Sequence, residues 1–177
     1  MADTLREVFG EAVVAARVAE LGREISAHYA AVGVADGEVV MVGVLKGALP
    51  FMADLLRALD FCPTLDFVRV ASYGAGTSPG ALRFLMDLET DIAGRHVLVV
   101  EDIVDTGRSL AYLLGMLQER SPASLKVCSL LDKAYRREAD VAVDFVGFAA
   151  PPVFLVGYGM DAGERLRRLR GVYELVH

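Results

Sequence analysis

Three acids, Glu101, Asp102 and Asp105, crowd into the stretch VLVVEDIVDTGRS (Val97 to Ser109) beside a threonine, a glycine, an arginine and a serine. The second half of that stretch offers what a monophosphate needs. Asp105 to Ser109 supply successive backbone N–H groups at a helix start and the hydroxyls of Thr106 and Ser109, while Gly107 lets a ligand come close to the main chain. Arg108 can add positive charge there. Glu101 and Asp102 have the opposite chemistry: ionised carboxylates only accept hydrogen bonds and repel a phosphate, so they call for donors. The vicinal hydroxyls of a ribose are such donors, and a hydrated Mg²⁺ suits the same acids. A ribose 5-phosphate, gripped by its diol at one end and its phosphate at the other, satisfies the whole string. Taken singly, Asp105 or Ser109 reads equally as a helix N-cap, and Glu101 and Asp102 as solvated acids at a strand tip. The combination carries the functional reading.

Other chemistries find little support. There is no GxxxxGK[ST], and both GAGTSPG and GYGMDAG place their third glycine one residue too late for GxGxxG. His28, His96 and His177 are scattered, with no HExxH; Cys62 and Cys128 form no CxxC pair and read as reduced core thiols. A net charge of −6 gives no general attraction to nucleic acid or to an anionic membrane, so neither is expected as a partner and any anion must be held locally. The opening MADTLREVFGEAVV lacks a basic segment followed by an apolar one, and no run approaches about 18 apolar residues, so a soluble cytoplasmic protein is expected. At 177 residues and 54% hydrophobic content, the chain can bury one large core, and it is apolar enough to suggest a buried parallel sheet or an oligomer.

The elements that must position these acids follow from periodicity. Val14, Val18, Leu21, Ile25 and Tyr29 recur at helical spacing, so the chain is expected to begin with a packing helix. EVVMVGVL reads as a buried strand leading into a helix with Phe51, Leu55 and Leu59 on one face. LDFVRVASY and ALRFLM read as strands around GAGTSPGA, a loop without apolar anchors that is expected to be mobile. HVLVV is a strand ending at the acids, Leu110, Leu113, Leu114 and Leu117 mark the helix after Gly107, and LKVCSLL is a further strand. Strands alternating with helices imply parallel pairing through right-handed crossovers. In such a sheet ligands sit beyond the carboxyl ends of the strands, where Glu101 and Asp102 are expected. From VDFVGF onward the strands are short and closely spaced, and they are expected to form a small cap.

The stretch Val97 to Ser109 resembles the phosphoribosyl-diphosphate (PRPP) signature of the type I phosphoribosyltransferases. VGVLKGALPF, DFVRVASYG, SLLDK, VDFVGF and FLVGYGMD follow in the order and approximate spacing of the hypoxanthine-guanine members of that family, over nearly everything from Val39 to Leu175. The resemblance implies an α/β chain with the type I phosphoribosyltransferase fold, one domain over 1–177. Its core, about 36–140, would be a mainly parallel sheet flanked by helices, with a small hood from about 141–177 over the C-terminal strand ends.

The same resemblance implies roles. Leu45, Lys46 and Gly47 match a pyrophosphate-binding loop, often with a cis peptide; Ser72 and Tyr73 lead into a loop that closes over the reactants. Lys133 matches the donor to the purine 6-oxo group, Phe154 the ring that stacks on the base, and Leu155 a residue whose backbone meets the base's far edge. Asp161 matches a carboxylate near metal and pyrophosphate, and Arg167 a pyrophosphate contact. Glu101, Asp102 and Asp161 are the expected Mg²⁺ ligands, and Asp105, Lys133 and Arg167 the expected catalytic groups. The implied reaction takes PRPP and a 6-oxopurine to a nucleotide and pyrophosphate, in a homodimer or homotetramer. A non-catalytic PRPP sensor and a pyrimidine-specific sibling are the alternatives. Where family members often carry lysine and threonine this chain has Arg108 and Ser109, and Ala71 and Ala162 replace a lysine and an aromatic found in some of them.

Overall fold

In the computed structural model, described for residues 4–73 and 81–176, strands and helices alternate as β1 (Thr4–Phe9), α1 (Glu11–Ala31), β2 (Val39–Val44), α2 (Leu49–Ala58), β3 (Thr64–Tyr73), β4 (Ala81–Met86), β5 (His96–Val104), α3 (Arg108–Gln118), β6 (Ser124–Asp132), β7 (Phe145–Ala149), β8 (Leu155–Val156) and β9 (Val172–Val176). The loop expected to be mobile, Gly74 to Gly80, lies outside the described residues. Six strands form the main sheet in the order β4-β3-β2-β5-β6-β7, parallel except for the β3–β4 pair. The near-continuous apolar runs of β2 and β5 are what a sheet covered on both faces requires. Along β5, Leu98 and Val100 face α1 and α2 with Leu21, Phe51 and Leu55, whereas Val97 and Val99 face α3 with Leu110, Leu113 and Leu117.

The chain leaves β2 for β3 on one side, then returns to place β5 on the other, so strand order reverses between β2 and β5. That reversal opens a crevice at their carboxyl ends, between the loop entering α2 and the loop entering α3. The ligand end of the molecule is therefore fixed by topology.

Four expectations need correction. Cys62 is exposed, so only Cys128 is a core thiol. The chain does not open with a helix: Thr4–Phe9 is a strand that pairs antiparallel with β9 and joins β8 in a separate three-stranded sheet. Its side chains are mostly exposed, so it shows no apolar alternation to read. Strand β5 does not stop at Val100 but runs through both acids to Val104. And the VDFVGF segment is no part of the cap, because Phe145–Ala149 pairs parallel with β6 at the edge of the main sheet. A stretch bearing only a 3₁₀ turn, Ala134–Arg136, makes that crossover, and Arg17 of α1 anchors the new edge by donating to the carbonyls of Val146 and Gly147 at 2.8 and 2.9 Å. No helix among the described residues is long and apolar enough to cross a membrane.

Candidate active site

Two backbones and the Asp102 carboxylate converge at the crevice with no room for a further side chain between them. The β2–α2 loop carries a cis peptide between Leu45 and Lys46, the bond expected from the family resemblance. A Cβ on Gly47 would lie 1.7 Å from Asp102 Oδ2, and one on Gly159, which has φ +101°, would lie 1.9 Å from the Gly47 carbonyl oxygen. Only glycine permits this approach of loop, strand and tail.

The paired acids separate. Successive residues of a strand point to opposite faces, so the continuation of β5 through them sends the carboxylates apart. Asp102 lines a cleft with Asp105, Lys133, Phe154 and Asp161, while Glu101 lines a smaller recess with Thr106, Gly107 and Ser109. Burial, with Asp102 nearby, pushes the Glu101 carboxyl well above the usual carboxylate range. Burial pushes Asp102 up to about 6, against the opposing effect of the Ile103 N–H that its Oδ1 accepts at 2.9 Å. Two desolvated carboxylates with no salt bridge among the described residues suit a ligand that brings hydroxyl donors or positive charge.

The cleft, about 410 Å³, gathers most of the expected base-binding groups. Phe154 is 54% exposed despite its size, which fits a stacking platform better than a core residue. Lys133 is only 7% exposed; its Nζ donates to the Val153 carbonyl at 3.3 Å and stands 3.6 Å from Asp105 Oδ2. Asp105 Oδ2 also accepts from Arg136 at 3.0 Å, and the Asp105 carbonyl accepts from Arg137 at 2.9 Å. The other carboxylate oxygen, Oδ1, is buried and has no donor among the described residues. Asp105 thus turns one oxygen to two cations and leaves the other without a donor among the described residues. Leu155 is buried in β8, beside Val153 and Phe154 on the cleft wall.

Asp105 also borders the recess of about 130 Å³ formed by Glu101, Thr106, Gly107 and Ser109 at the start of α3. Gly107 has φ +79° and caps the helix without a side-chain hydrogen bond; the Arg108 N–H reaches the Thr106 hydroxyl at 3.5 Å, and the Ser109 and Leu110 N–H groups remain available to an anion. Thr106 holds the turn in place by accepting from the Glu138 and Ala139 N–H groups through its carbonyl, at 2.9 and 3.1 Å. Arg108 is turned outward into an ion pair with Glu138 at 2.7 Å, so its positive charge is already paired outside the recess.

Beside the cleft, Arg167 donates to the Gly159 carbonyl at 2.6 Å and pairs at 2.7 Å with Asp161 on the cleft wall. Lys46 and Arg167 both reach Glu164, at 3.1 and 3.4 Å. Ser72 and Tyr73 pair with Leu82 and Ala81 at the end of β3, and their side chains lie outside the described residues. Arg136 and Glu164 escaped the sequence reading. Both sit in runs rich in charge, AYRRE and GERLRR, that look like solvated surface, and only the fold brings them to Asp105 and Lys46.

Among the described residues no three His, Cys, Asp or Glu side chains converge into a ready-made metal cage. Mg²⁺ does not require one, since it commonly keeps several waters and uses one or two carboxylates plus substrate oxygens. The desolvated Asp102 carboxylate fits that mode of binding.

A doubly covered sheet with a strand-order reversal, a turn through Gly107 at a helix start and acids on the preceding strand define an α/β protein with a ligand cleft at its strand ends. The chain belongs to the phosphoribosyl transferase domain family, whose model matches residues 12–162. It is 45% identical to the hypoxanthine phosphoribosyltransferase of Salmonella typhimurium over 99% of this chain and 98% of that protein. It is 43% identical to the hypoxanthine-guanine phosphoribosyltransferase of Bacillus subtilis over 94% and 91%. Among solved structures, a hypoxanthine-guanine phosphoribosyltransferase from Bacillus anthracis superposes with a TM-score of 0.89 at 37% identity, covering 97% of this chain and 98% of that one.

Proposed function

We propose that this protein is a purine-salvage enzyme that transfers the 5-phosphoribosyl group of PRPP to N9 of hypoxanthine or guanine, forming IMP or GMP and pyrophosphate. One observation carries the reading: Asp105, Lys133 and Phe154 line a single cleft, Asp105 also borders a phosphate-sized recess, and Asp161 on the cleft wall pairs with Arg167, which shares Glu164 with Lys46. The full-length similarity to hypoxanthine phosphoribosyltransferases supports it.

The 5′-phosphate sits on the α3 N-terminus, held by the Thr106 to Ser109 amides and hydroxyls. The base stacks on Phe154, its 6-oxo group accepts from Lys133, and the Leu155 backbone meets its far edge. Glu101 and Asp102 take the ribose hydroxyls, and with Asp161 they would hold Mg²⁺. That ion, when bound, supplies charge neutralisation for the pyrophosphate. In the reaction the bond from the anomeric carbon to pyrophosphate breaks and the bond to N9 forms. Lys46 and Arg167 stabilise the charge growing on pyrophosphate, while Asp105 accepts the proton released from the imidazole edge of the base. Ser72 and Tyr73 lead into the segment that closes over the reactants. The chain works as a single cytoplasmic domain within a homodimer or homotetramer.

A non-catalytic PRPP sensor would have no need of a buried lysine and an exposed aromatic ring across from the phosphate recess, which disfavours that alternative. PRPP with Mg²⁺ and each nucleobase in turn, assayed for pyrophosphate and nucleotide, tests the proposal. Hypoxanthine or guanine is expected to be consumed; turnover with uracil alone, or with no base at all, overturns it.

Gly47→Ala gives a sharper test of the geometry. The new methyl displaces the Asp102 carboxylate, whose other oxygen is tied to Ile103. A misplacement of about 1 Å near reacting groups lowers rate by roughly 10²-fold. We expect kcat/KM for PRPP to fall by about that factor while thermal melting stays cooperative, and an unaltered kcat/KM would mean that Asp102 does not touch PRPP.

A further inference from the structure

The pyrophosphate end of the cleft already contains an anion. Glu164 Oε2 lies 3.1 Å from Lys46 Nζ, a contact that joins segments 118 positions apart, and 3.4 Å from Arg167 Nη2. The turn that carries it is built with effort. Glu164 and Leu166 both adopt left-handed backbone, φ +64° and +74°, which L-residues with long side chains rarely occupy. Asp161 braces the turn by accepting from the Glu164 N–H at 2.7 Å, and Ala162 and Arg165 exchange main-chain bonds across it. The result aims a carboxylate between the two side chains to which the proposed function gives the pyrophosphate.

We propose that Glu164 is an internal anion that takes the pyrophosphate position before substrate binds, so that PRPP enters and pyrophosphate leaves by exchange with it. The inference rests on the reading of Lys46 and Arg167 as the pyrophosphate cations. Without Glu164 the Lys46 ammonium would lose its ion-pair partner among the described residues, while Arg167 would keep its 2.7 Å pair with Asp161. With it, they are held in place before substrate arrives, at the expense of an ion pair that every incoming pyrophosphate group must break. The contact weakens substrate and product pyrophosphate alike, and so speeds release. Glu164 is a positioning residue that acts through Lys46 and Arg167.

The test uses the full-length protein and inorganic pyrophosphate with Mg²⁺, titrated calorimetrically, with IMP as a ligand that does not reach this end of the cleft. Glu164→Gln removes the charge; Glu164→Asn removes both charge and reach while suiting the left-handed backbone, so a folding defect in the first variant leaves the second to decide. Pyrophosphate is expected to bind about 3- to 30-fold more tightly to both, the range spanned by losing two competing exposed ion pairs. IMP affinity is expected to change by less than about twofold, and kcat and KM for PRPP to fall together as release slows. Unchanged or weaker pyrophosphate binding in both variants overturns the inference, as does equal tightening of IMP. Lys46→Ala separates the two levels. If it weakens pyrophosphate while the Glu164 variants do not tighten it, only the exchange is wrong; if it too has no effect, the pyrophosphate site itself is misassigned and the inference falls with it.

Discussion

Asp105→Asn is expected to lower kcat by about 10²–10⁴-fold while leaving PRPP binding within a few-fold of the parent protein, the range a positioned general base contributes. The argument begins from the two oxygens of the carboxylate. Oδ2 faces Arg136 at 3.0 Å and Lys133 at 3.6 Å, both of which are donors only. An asparagine here must turn its carbonyl toward those cations, because its amide N–H groups would meet other donors. That orientation puts the –NH₂ where Oδ1 stands now, in the buried position that has no donor among the described residues. A purine presenting an N–H on its imidazole edge then finds a donor where it needs an acceptor, and nothing takes the proton as N9 attacks. The backbone should not move, since Arg137 still binds the residue's carbonyl. Steady-state kinetics with hypoxanthine, beside calorimetric titration of PRPP, separates the two effects. Turnover equal to that of the parent protein would remove Asp105 from the role of base.

How much of this was legible beforehand depends on whether a residue's significance is local or spatial. The phosphate turn was readable because a helix start, a glycine and two hydroxyls are all adjacent in sequence. The strands covered on both faces announced themselves as apolar runs; β2 lies close to where periodicity puts it, and β5 starts where expected. Strand β1 was invisible, because its exposed side chains carry no alternation and its partner is at the opposite end of the chain. The splitting of Glu101 from Asp102 was equally hidden. It depends on whether β5 stops before the acids or passes through them, and pairing with Ser129, Leu131 and Asp132 on β6 decides that. Arg136 and Glu164 are readable as functional only once a fold has set them against Asp105 and Lys46. Lys46, Lys133, Phe154, Asp161 and Arg167 were singled out by resemblance alone; by type and spacing each was an ordinary surface or core residue.

Adenine is expected to be used about 10⁴–10⁵-fold less efficiently than hypoxanthine, the discrimination available to a site whose buried hydrogen-bonding group meets the wrong partner. Lys133 is that group. Its ammonium is nearly inaccessible to water, donates one hydrogen to the Val153 carbonyl and leans toward Asp105, which leaves its remaining hydrogen for the base. A 6-oxo oxygen completes the set, whereas a 6-amino group sets donor against donor in a place where neither can turn to solvent. Lys133→Gln should narrow the gap to within about 10²-fold, because an amide can donate to an oxo group or accept from an amino group. Much of that change should come from the loss of hypoxanthine turnover, since the positive charge beside the base also goes. Comparing kcat/KM for the two bases in both proteins reads the effect directly. If the parent protein converts adenine within about tenfold of hypoxanthine, Lys133 does not face the 6-position, and the base must lie in the cleft in another orientation.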